Sequence, residues 1–317
     1  MDKSQSVGYT AAFLAGLSFG SISIISALLR NLGASSVEQI LIRLFFSIMI
    51  SIGVIFFFYL KNPQEFRSSI SYLTQKTYCL QGLFFSLMII LYISSIALET
   101  PVGEAVLLAQ IHPFITLILA WLLLGEKIDL SKILALLLGI TGLVILTRPW
   151  EWTSFLSSLI GDLLALFTGI VIAFYLLTGR WSARHRANVS SELSIAWVLC
   201  WGFLLGVPIL LFLTLLPLPV SLVGFSLDTY FSFDVLLLGL LFAVLGSFLP
   251  YGLVMVSSNY IESSKGSILL LSEPIGVIIL GALILGEEIT IWYIAGGIAL
   301  LLAIIIVILS SKDQQGE

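Results

Sequence analysis

Ten apolar segments follow one another along the whole chain, and each is long enough to cross a bilayer as an α-helix of about 20 residues. Charged residues make up only 10% of the chain, against roughly a quarter in a soluble domain. The segments have almost no polar face at helical spacing, which excludes a soluble all-helical core. We therefore predict an all-α integral membrane protein with ten transmembrane helices in the lipid bilayer. These helices, called spans 1 to 10, are predicted at about residues 7–28, 37–60, 78–98, 104–124, 132–147, 157–178, 192–216, 234–257, 266–285 and 291–310.

Two stretches of the chain, 161 positions apart, are nearly copies of each other. Residues 108–128 correspond to residues 269–289, and in both a proline stands twelve positions before a Gly-Glu pair. The chain is therefore predicted to consist of two repeats, residues 1–152 and 153–317. Small residues in spans 1 and 6 match at a shorter shift of 153 positions. The second repeat should consequently hold extra residues in span 8, around Gly246 to Pro250.

Five spans in each repeat have a topological consequence. Because five is odd, two copies of the unit must cross the membrane in opposite directions, which makes them inverted repeats. Inverted repeats are common in secondary transporters, where the site for a small-molecule substrate lies near the middle of the membrane between the repeats. A duplicated scaffold without a pore is the competing interpretation. Alternating access is favoured over it, because the inward-facing and outward-facing states of an inverted duplication are near mirror images.

The basic residues predict the orientation. Eleven of the 14 Lys and Arg residues fall on the side that holds both termini. Positively charged loops stay in the cytoplasm. The protein is therefore expected in the plasma (cell) membrane, with its N- and C-termini cytoplasmic.

The repeated prolines mark the first group of candidate site residues. Pro113 in span 4 and Pro274 in span 9 should kink their helices, and each leaves a carbonyl that needs a partner other than lipid. His112 and Glu273 precede these prolines at equivalent positions. A carboxylate in mid-membrane is costly, so Glu273 should face the interior, as a protonatable coupling group, a partner for a substrate ammonium or a brace for the kink. His112 could relay protons or be a hydrogen-bonded structural residue, and Gln110 is a further polar candidate.

Arg43, in the outer part of span 2, is a charged residue inside an apolar segment. It is expected to reach the interface, to pair with a carboxylate or to bind an anionic substrate group. Among the aromatic residues within spans, Tyr92, Trp197 and Tyr251 are candidates for lining a pocket, although most such residues only pack.

Two further patterns are predicted to be structural. Glu126 and Glu287 follow the glycines that end spans 4 and 9, and each should bind amides at the start of the next helix. Small residues recur every four positions in span 1 (Gly16, Gly20) and in span 6 (Gly169), which lets helix backbones approach closely.

The order of several motifs resembles the drug/metabolite transporter superfamily, EamA type, over essentially the whole chain. The matching elements are LSFGS in span 1 (17–21), IRLFF in span 2 (42–46), the stretch 82–113, GDLLALFTGIVIAFY opening the second repeat (161–175), and both proline-to-Gly-Glu endings. The resemblance implies ten spans, cytoplasmic termini and a central cavity shared by the two halves. Three positions depart from the family pattern: His112 stands where an acidic or small residue is usual, Trp197 replaces a second copy of the arginine, and Phe19 replaces a tryptophan.

The resemblance also implies the class of function, which is the export of small metabolites such as amino acids. The alternative on the same fold is an importer or exchanger of a nucleotide-like, cofactor-like or cationic drug solute. An enzyme is not expected, because the chain has two histidines, two cysteines and no catalytic set or phosphate-binding loop. We expect no metal, no cofactor and no nucleic-acid partner. A proton is a possible coupling ion, and the chain should act as a monomer or homodimer.

Overall fold

The computed structural model describes residues 3–98, 100, 102–151, 159–185, 189–215, 224, 226 and 230–313. Within these ranges the chain is helical without strands, and ten helices are long and apolar enough to cross a membrane, which confirms the predicted fold class. The spans run Lys3–Asn31, Ser36–Lys61, Thr74–Ile96, Glu104–Leu124, Leu130–Thr147, Leu159–His185, Ser191–Thr214, Phe233–Tyr260, Ser263–Leu285 and Ile291–Ser310.

The packing of the spans shows the symmetry of the two repeats. Span 5 packs on span 10, and span 2 packs on span 7. Span 1 packs on spans 8 and 9, and its equivalent, span 6, packs on spans 3 and 4. Exchanging the two repeats therefore maps each of these pairs of spans onto another of them. This is the arrangement of two inverted five-helix repeats about a pseudo-two-fold axis in the membrane plane.

Spans 4 and 9 are interrupted at their prolines. Span 4 consists of Val102–Ala109 and His112–Leu124, separated by a turn. In span 9 a 3₁₀ turn separates Ser263–Leu269 from Glu273–Leu280. A proline has no N–H for the carbonyl four residues before it, so the helix cannot continue undisturbed. These interruptions place polar backbone in the interior at equivalent depths in both repeats.

Span 8 carries a different irregularity. Helix Phe233–Ala243 passes into a π-helical turn, Val244–Phe248, before helix Leu249–Tyr260. A π-helical turn accommodates an additional residue within a helix. It lies where the sequence comparison predicts additional residues. A second π-helical turn, Gly281–Leu285, ends span 9.

The helix ends differ from the predicted ones in two places. Span 6 was expected to end near residue 178, but its helix continues to His185. Arg180 and Arg184 end the apolar run without ending the helix, because arginine has a high helix propensity. A short helix, Pro63–Ser69, joins spans 2 and 3 and was not predicted. The predicted boundary between the repeats, after residue 152, lies outside the described residues.

Glycines bring the broken spans close to spans 1 and 6. A Cβ atom added to Gly16 would lie 3.0 Å from the Leu270 carbonyl oxygen, and one added to Gly169 would lie 2.5 Å from the Ala109 carbonyl oxygen. Leu270 and Ala109 each stand four residues before a proline, so these are the carbonyls that the prolines release. The small-residue stripes therefore act as packing surfaces for the interruptions of spans 9 and 4.

Candidate functional site

A cavity of about 800 Å³, open space at its mouth included, lies between the two repeats. Spans 1, 2, 3, 4, 6, 8 and 9 all contribute to its wall. Of the seven predicted site residues, six lie on the wall: Arg43, Tyr92, Gln110, His112, Tyr251 and Glu273.

The wall is built from equivalent positions of the two repeats. Phe19 in span 1 and Ile172 in span 6 face the cavity at the shift of 153, as do Ile22 and Tyr175. Spans 4 and 9 contribute the equivalent pairs Ala109 with Leu270 and His112 with Glu273 at the shift of 161. The cavity therefore lies on the pseudo-two-fold axis. Phe19 and Ile172 were not predicted as site residues, although the alignment of the repeats carried the signal.

The two broken helices bring their polar residues together. The Gln110 Nε2 atom donates to the Glu273 Oε2 atom over 3.3 Å, which joins the interruption of span 4 to that of span 9. The Gln110 Oε1 atom has no hydrogen-bond partner among the described residues. The same holds for the Nδ1 atom of His112, a side chain only 2% exposed. Both atoms are polar groups that a solute could satisfy.

Arg43 is bound to the irregular turn of span 8. Its Nε atom donates to the Ser247 hydroxyl at 2.8 Å, and its Nη2 atom donates to the Gly246 carbonyl. The residue four positions after Gly246 is Pro250, which has no N–H, so this carbonyl lacks the usual α-helical donor. Arg43 therefore donates a hydrogen bond to a carbonyl whose α-helical donor is removed by Pro250.

Aromatic rings form one side of the cavity. The Tyr251 ring makes edge contacts with Phe19, Phe85 and Tyr175, with centroids 4.8, 4.9 and 5.3 Å apart. The Tyr251 hydroxyl lies 3.6 Å from the Met88 sulfur atom. These contacts hold Tyr251 rigidly against the space that Glu273 faces.

Trp197 is not part of the cavity wall. Its Nε1 atom donates to the Ser69 hydroxyl at 2.9 Å, and the neighbouring Trp201 donates to the Gln75 side chain at 2.8 Å. Both tryptophans thus attach span 7 to the beginning of span 3 and the segment before it. Span 7 packs on spans 2 and 3 and contributes none of its described residues to the cavity wall, although Arg43 is the equivalent of Trp197.

Three apolar residues close the cavity toward the side of the termini. Leu176, Val254 and Leu270 line both this cavity and a smaller one beneath it. We call these three residues the apolar floor. The smaller cavity extends to Ser257 and Glu262, near the membrane surface on which the helical chain begins and ends.

A charged layer lies below the apolar floor. Glu126 accepts hydrogen bonds from the Ser263 and Ser264 amides at 2.7 and 3.0 Å and from the Ser264 hydroxyl at 2.5 Å. Its carboxylate therefore caps the start of span 9. The sequence had predicted that it would cap the start of span 5, the helix that follows it in the chain. The reason is that span 9 begins beside the end of span 4 in the folded repeats, so its free amides are nearer.

The second part of the charged layer is an ion-paired group. Lys132 and Lys265 place their Nζ atoms 2.8 and 3.5 Å from the same Glu262 oxygen. Burial raises the pKa of Glu262, but the hydrogen bond and charge of Lys132, together with Lys265, outweigh it and hold the pKa below its ordinary value. Glu262 is thus anionic at neutral pH and ties span 5 to the start of span 9.

The equivalent glutamate on the opposite side is not engaged in this way. Glu126 is 3% exposed, whereas Glu287 is exposed to solvent. Its carboxylate lies against Gly281, within its own span 9 turn. The two sides of the axis therefore differ: the side of the termini carries a closed layer, and the described residues of the other side do not repeat it.

Comparisons with known proteins agree with this architecture. The model of the EamA-like transporter family matches residues 6–148 and 159–309, one match for each repeat. A protein from Archaeoglobus fulgidus described as an uncharacterized transporter is 25% identical over 206 residues, covering 65% of this chain and 67% of the relative. A crystal structure of another protein has a TM-score of 0.75 at 13% identity and covers 98% of this chain and 99% of its own, which shows a common fold. The two family matches cover both repeats almost completely, and the chain belongs to the EamA-like transporter family.

Proposed function

We propose that the protein is a secondary active transporter that exports amino acids or related amine-bearing metabolites by alternating access. The cavity on the pseudo-two-fold axis carries the proposal, because it is closed toward one side by the apolar floor and the charged layer. In an inverted duplication, a state closed on one side has a near mirror image closed on the other. Exchange between these two states would carry a bound solute across the membrane. Membership of a transporter family favours this function over catalysis.

Nucleotide-like and cofactor-like solutes fit the cavity less well. Their phosphate groups require free cationic donors. Arg43 is the cation on the described part of the wall, and it is bound to Gly246 and Ser247. The importer or exchanger of such solutes therefore remains the less favoured function.

The orientation belongs to the same proposal. The excess of Lys and Arg on the side of the termini supports cytoplasmic N- and C-termini in the cell membrane. The apolar floor and the charged layer would then close the cytoplasmic side, and the cavity would belong to an outward-facing state.

Alternating access predicts which introduced cysteines react from which side. In a protein whose Cys79 and Cys200 are replaced by serine, Val106→Cys in the cavity wall should react with a membrane-impermeant thiol reagent added outside. Ser257→Cys, which lines the smaller cavity, should react only from the cytoplasmic side, and slowly, because the layer must first open. The measurement is the labelling rate in right-side-out and inside-out vesicles.

Two results would contradict the proposal without any knowledge of the substrate. If Ser257→Cys is never labelled from the cytoplasmic side, the charged layer never opens and the protein is a scaffold. If both positions react rapidly from both sides and the membrane conducts ions steadily, the protein is a channel.

Glu273 is the group that we propose for proton coupling. Glu273→Gln should abolish uptake driven by a pH gradient in proteoliposomes, because an amide cannot bind and release a proton. The measurement uses radiolabelled phenylalanine and phenethylamine. The titratable and charged side chains that share the wall with Glu273 are Arg43, Tyr92, His112, Tyr175 and Tyr251.

Glu288→Gln is the matched control, since it makes the same chemical change in the exposed link before span 10. It should leave gradient-driven uptake unchanged. Unchanged gradient dependence in Glu273→Gln would instead assign coupling to another group and leave Glu273 as a brace between the broken helices.

A further inference from the structure

We infer that the solute of the cavity is an organic monocation: an ammonium group on an apolar or aromatic body, without a carboxylate. This inference rests on the proposed transport function and narrows its substrate class: it keeps the related amine-bearing metabolites and excludes the zwitterionic amino acids. The two charged residues of the described cavity wall are Arg43 and Glu273. The inference follows from the difference between their contacts: Arg43 is bound to groups of the protein, whereas Glu273 has no countercharge among the described residues.

Arg43 is held by groups of the protein itself. Its Nε and Nη2 atoms donate to Ser247 and Gly246, and the Tyr251 hydroxyl is within hydrogen-bonding reach of the guanidinium. Its Cζ atom lies over the Phe242 ring, 4.7 Å from the ring centre, and 6.0 Å from the centre of the Phe85 ring. Only 2% of the side chain is exposed.

Releasing Arg43 toward a substrate carboxylate would break up span 8. The Gly246 carbonyl lacks its α-helical donor because Pro250 has no N–H, and the preceding Leu245 carbonyl already accepts from the Ser21 hydroxyl at 3.2 Å. A carbonyl left unpaired in a dry interior is unfavourable. Arg43 is therefore a positioning residue that fixes the π-helical turn and, through it, Tyr251.

Glu273, in contrast, faces the cavity without a countercharge. Its carboxylate accepts one long hydrogen bond, 3.3 Å, from Gln110. Among the described residues, no basic nitrogen lies within 4 Å of it. A carboxylate in such a place either binds a proton, as in the proposed coupling role, or takes a cationic partner. The unpaired Oε1 atom of Gln110 stands beside it as a second acceptor for an ammonium group.

The remaining wall suits the body of an organic cation. Phe19, Tyr92, Tyr175 and Tyr251 present aromatic rings around the same space. Aromatic faces attract cations, and their edges pack against apolar groups. A zwitterionic amino acid would place its carboxylate among these rings and methyl groups, where the described wall offers hydroxyls and an imidazole but no free cation.

Four matched probes test the inference on the unmodified, purified protein. Phenethylamine, phenylalanine, hydrocinnamate and phenethyl alcohol share one aromatic body and differ in their charged groups. Calorimetric titration should show phenethylamine binding at least about tenfold more tightly than each of the other three, because a charge-assisted pair with Glu273 is available only to the amine without a carboxylate. Hydrocinnamate should bind most weakly.

A variant and its control then locate the site. Glu273→Gln should reduce the affinity for phenethylamine by at least about tenfold and bring it to the level of phenethyl alcohol, because the ammonium loses its countercharge. Glu288→Gln should leave the affinity unchanged.

The results that overturn the inference differ from those that overturn the transport proposal. Tighter binding of phenylalanine or hydrocinnamate than of phenethylamine would show that Arg43 does accept a carboxylate. Binding of none of the four probes, in a protein whose cysteine accessibility alternates, would refute the substrate class and leave transport intact. If the introduced cysteines show that the cavity never opens to the other side of the membrane, that result alone would refute transport.

Discussion

Gly20→Ala is expected to lower the stability of the protein by about 3 kcal/mol or more, the upper end of the range for overpacking substitutions. The added Cβ atom would lie 2.5 Å from the backbone carbon of Gly276 and 2.5 Å from the backbone nitrogen of Val277. Backbone atoms cannot rotate away as a side chain can, so spans 1 and 9 would have to separate. The measurement is the midpoint of thermal unfolding of the purified protein in detergent.

Gly53→Ala provides the matched control, because this glycine lies within span 2 and a Cβ atom added there meets nothing within 4 Å. Alanine is a better helix former than glycine by about 1 kcal/mol, so this variant should be unchanged or slightly more stable. Equal unfolding midpoints for the two variants would show that spans 1 and 9 can separate at their crossing with little loss of stability. That would also weaken the site, since the same crossing holds Ser272, whose hydroxyl donates to the Phe13 carbonyl at 2.8 Å, next to Glu273.

Much of the fold could be predicted because lipid permits few solutions. A backbone in hydrocarbon must satisfy its own hydrogen bonds, so ten apolar segments become ten helices. The duplication then brings equivalent residues to one axis. Six of the seven predicted site residues lie on the cavity wall for this reason, since they are polar or aromatic residues at the depth where the repeats meet.

The partners of the charged residues could not be predicted. Arg43 binds Ser247, 204 positions away, because a helix irregularity and a proline combine to release one carbonyl. Glu126 caps a helix that begins 137 positions later. Such pairs depend on which helix ends become neighbours after folding. Trp197 was predicted to line the cavity, and it lies elsewhere for a related reason. Its equivalence to Arg43 does not predict that its indole N–H donates to the Ser69 hydroxyl.

The asymmetry of the two Gly-Glu pairs leads to the second large effect. Glu126→Gln should accelerate labelling of Ser257→Cys from the side of the termini by about a hundredfold. The carboxylate accepts three hydrogen bonds at the start of span 9, each worth about 1.5–3 kcal/mol to a charged acceptor and roughly half as much to a neutral one. A loss of about 3 kcal/mol corresponds to a hundredfold change in the equilibrium between closed and open layers.

Glu287→Gln separates this effect from a general loss of stability. The two glutamates occupy equivalent positions, but only Glu126 is buried in a closed layer, so Glu287→Gln should leave the labelling rate within about twofold of the parent protein. If Glu126 acts only as a helix cap that is present in every state, its loss would lower the unfolding midpoint and leave the labelling rate unchanged. If the state-dependent contact is real, labelling accelerates at a temperature where both variants are folded.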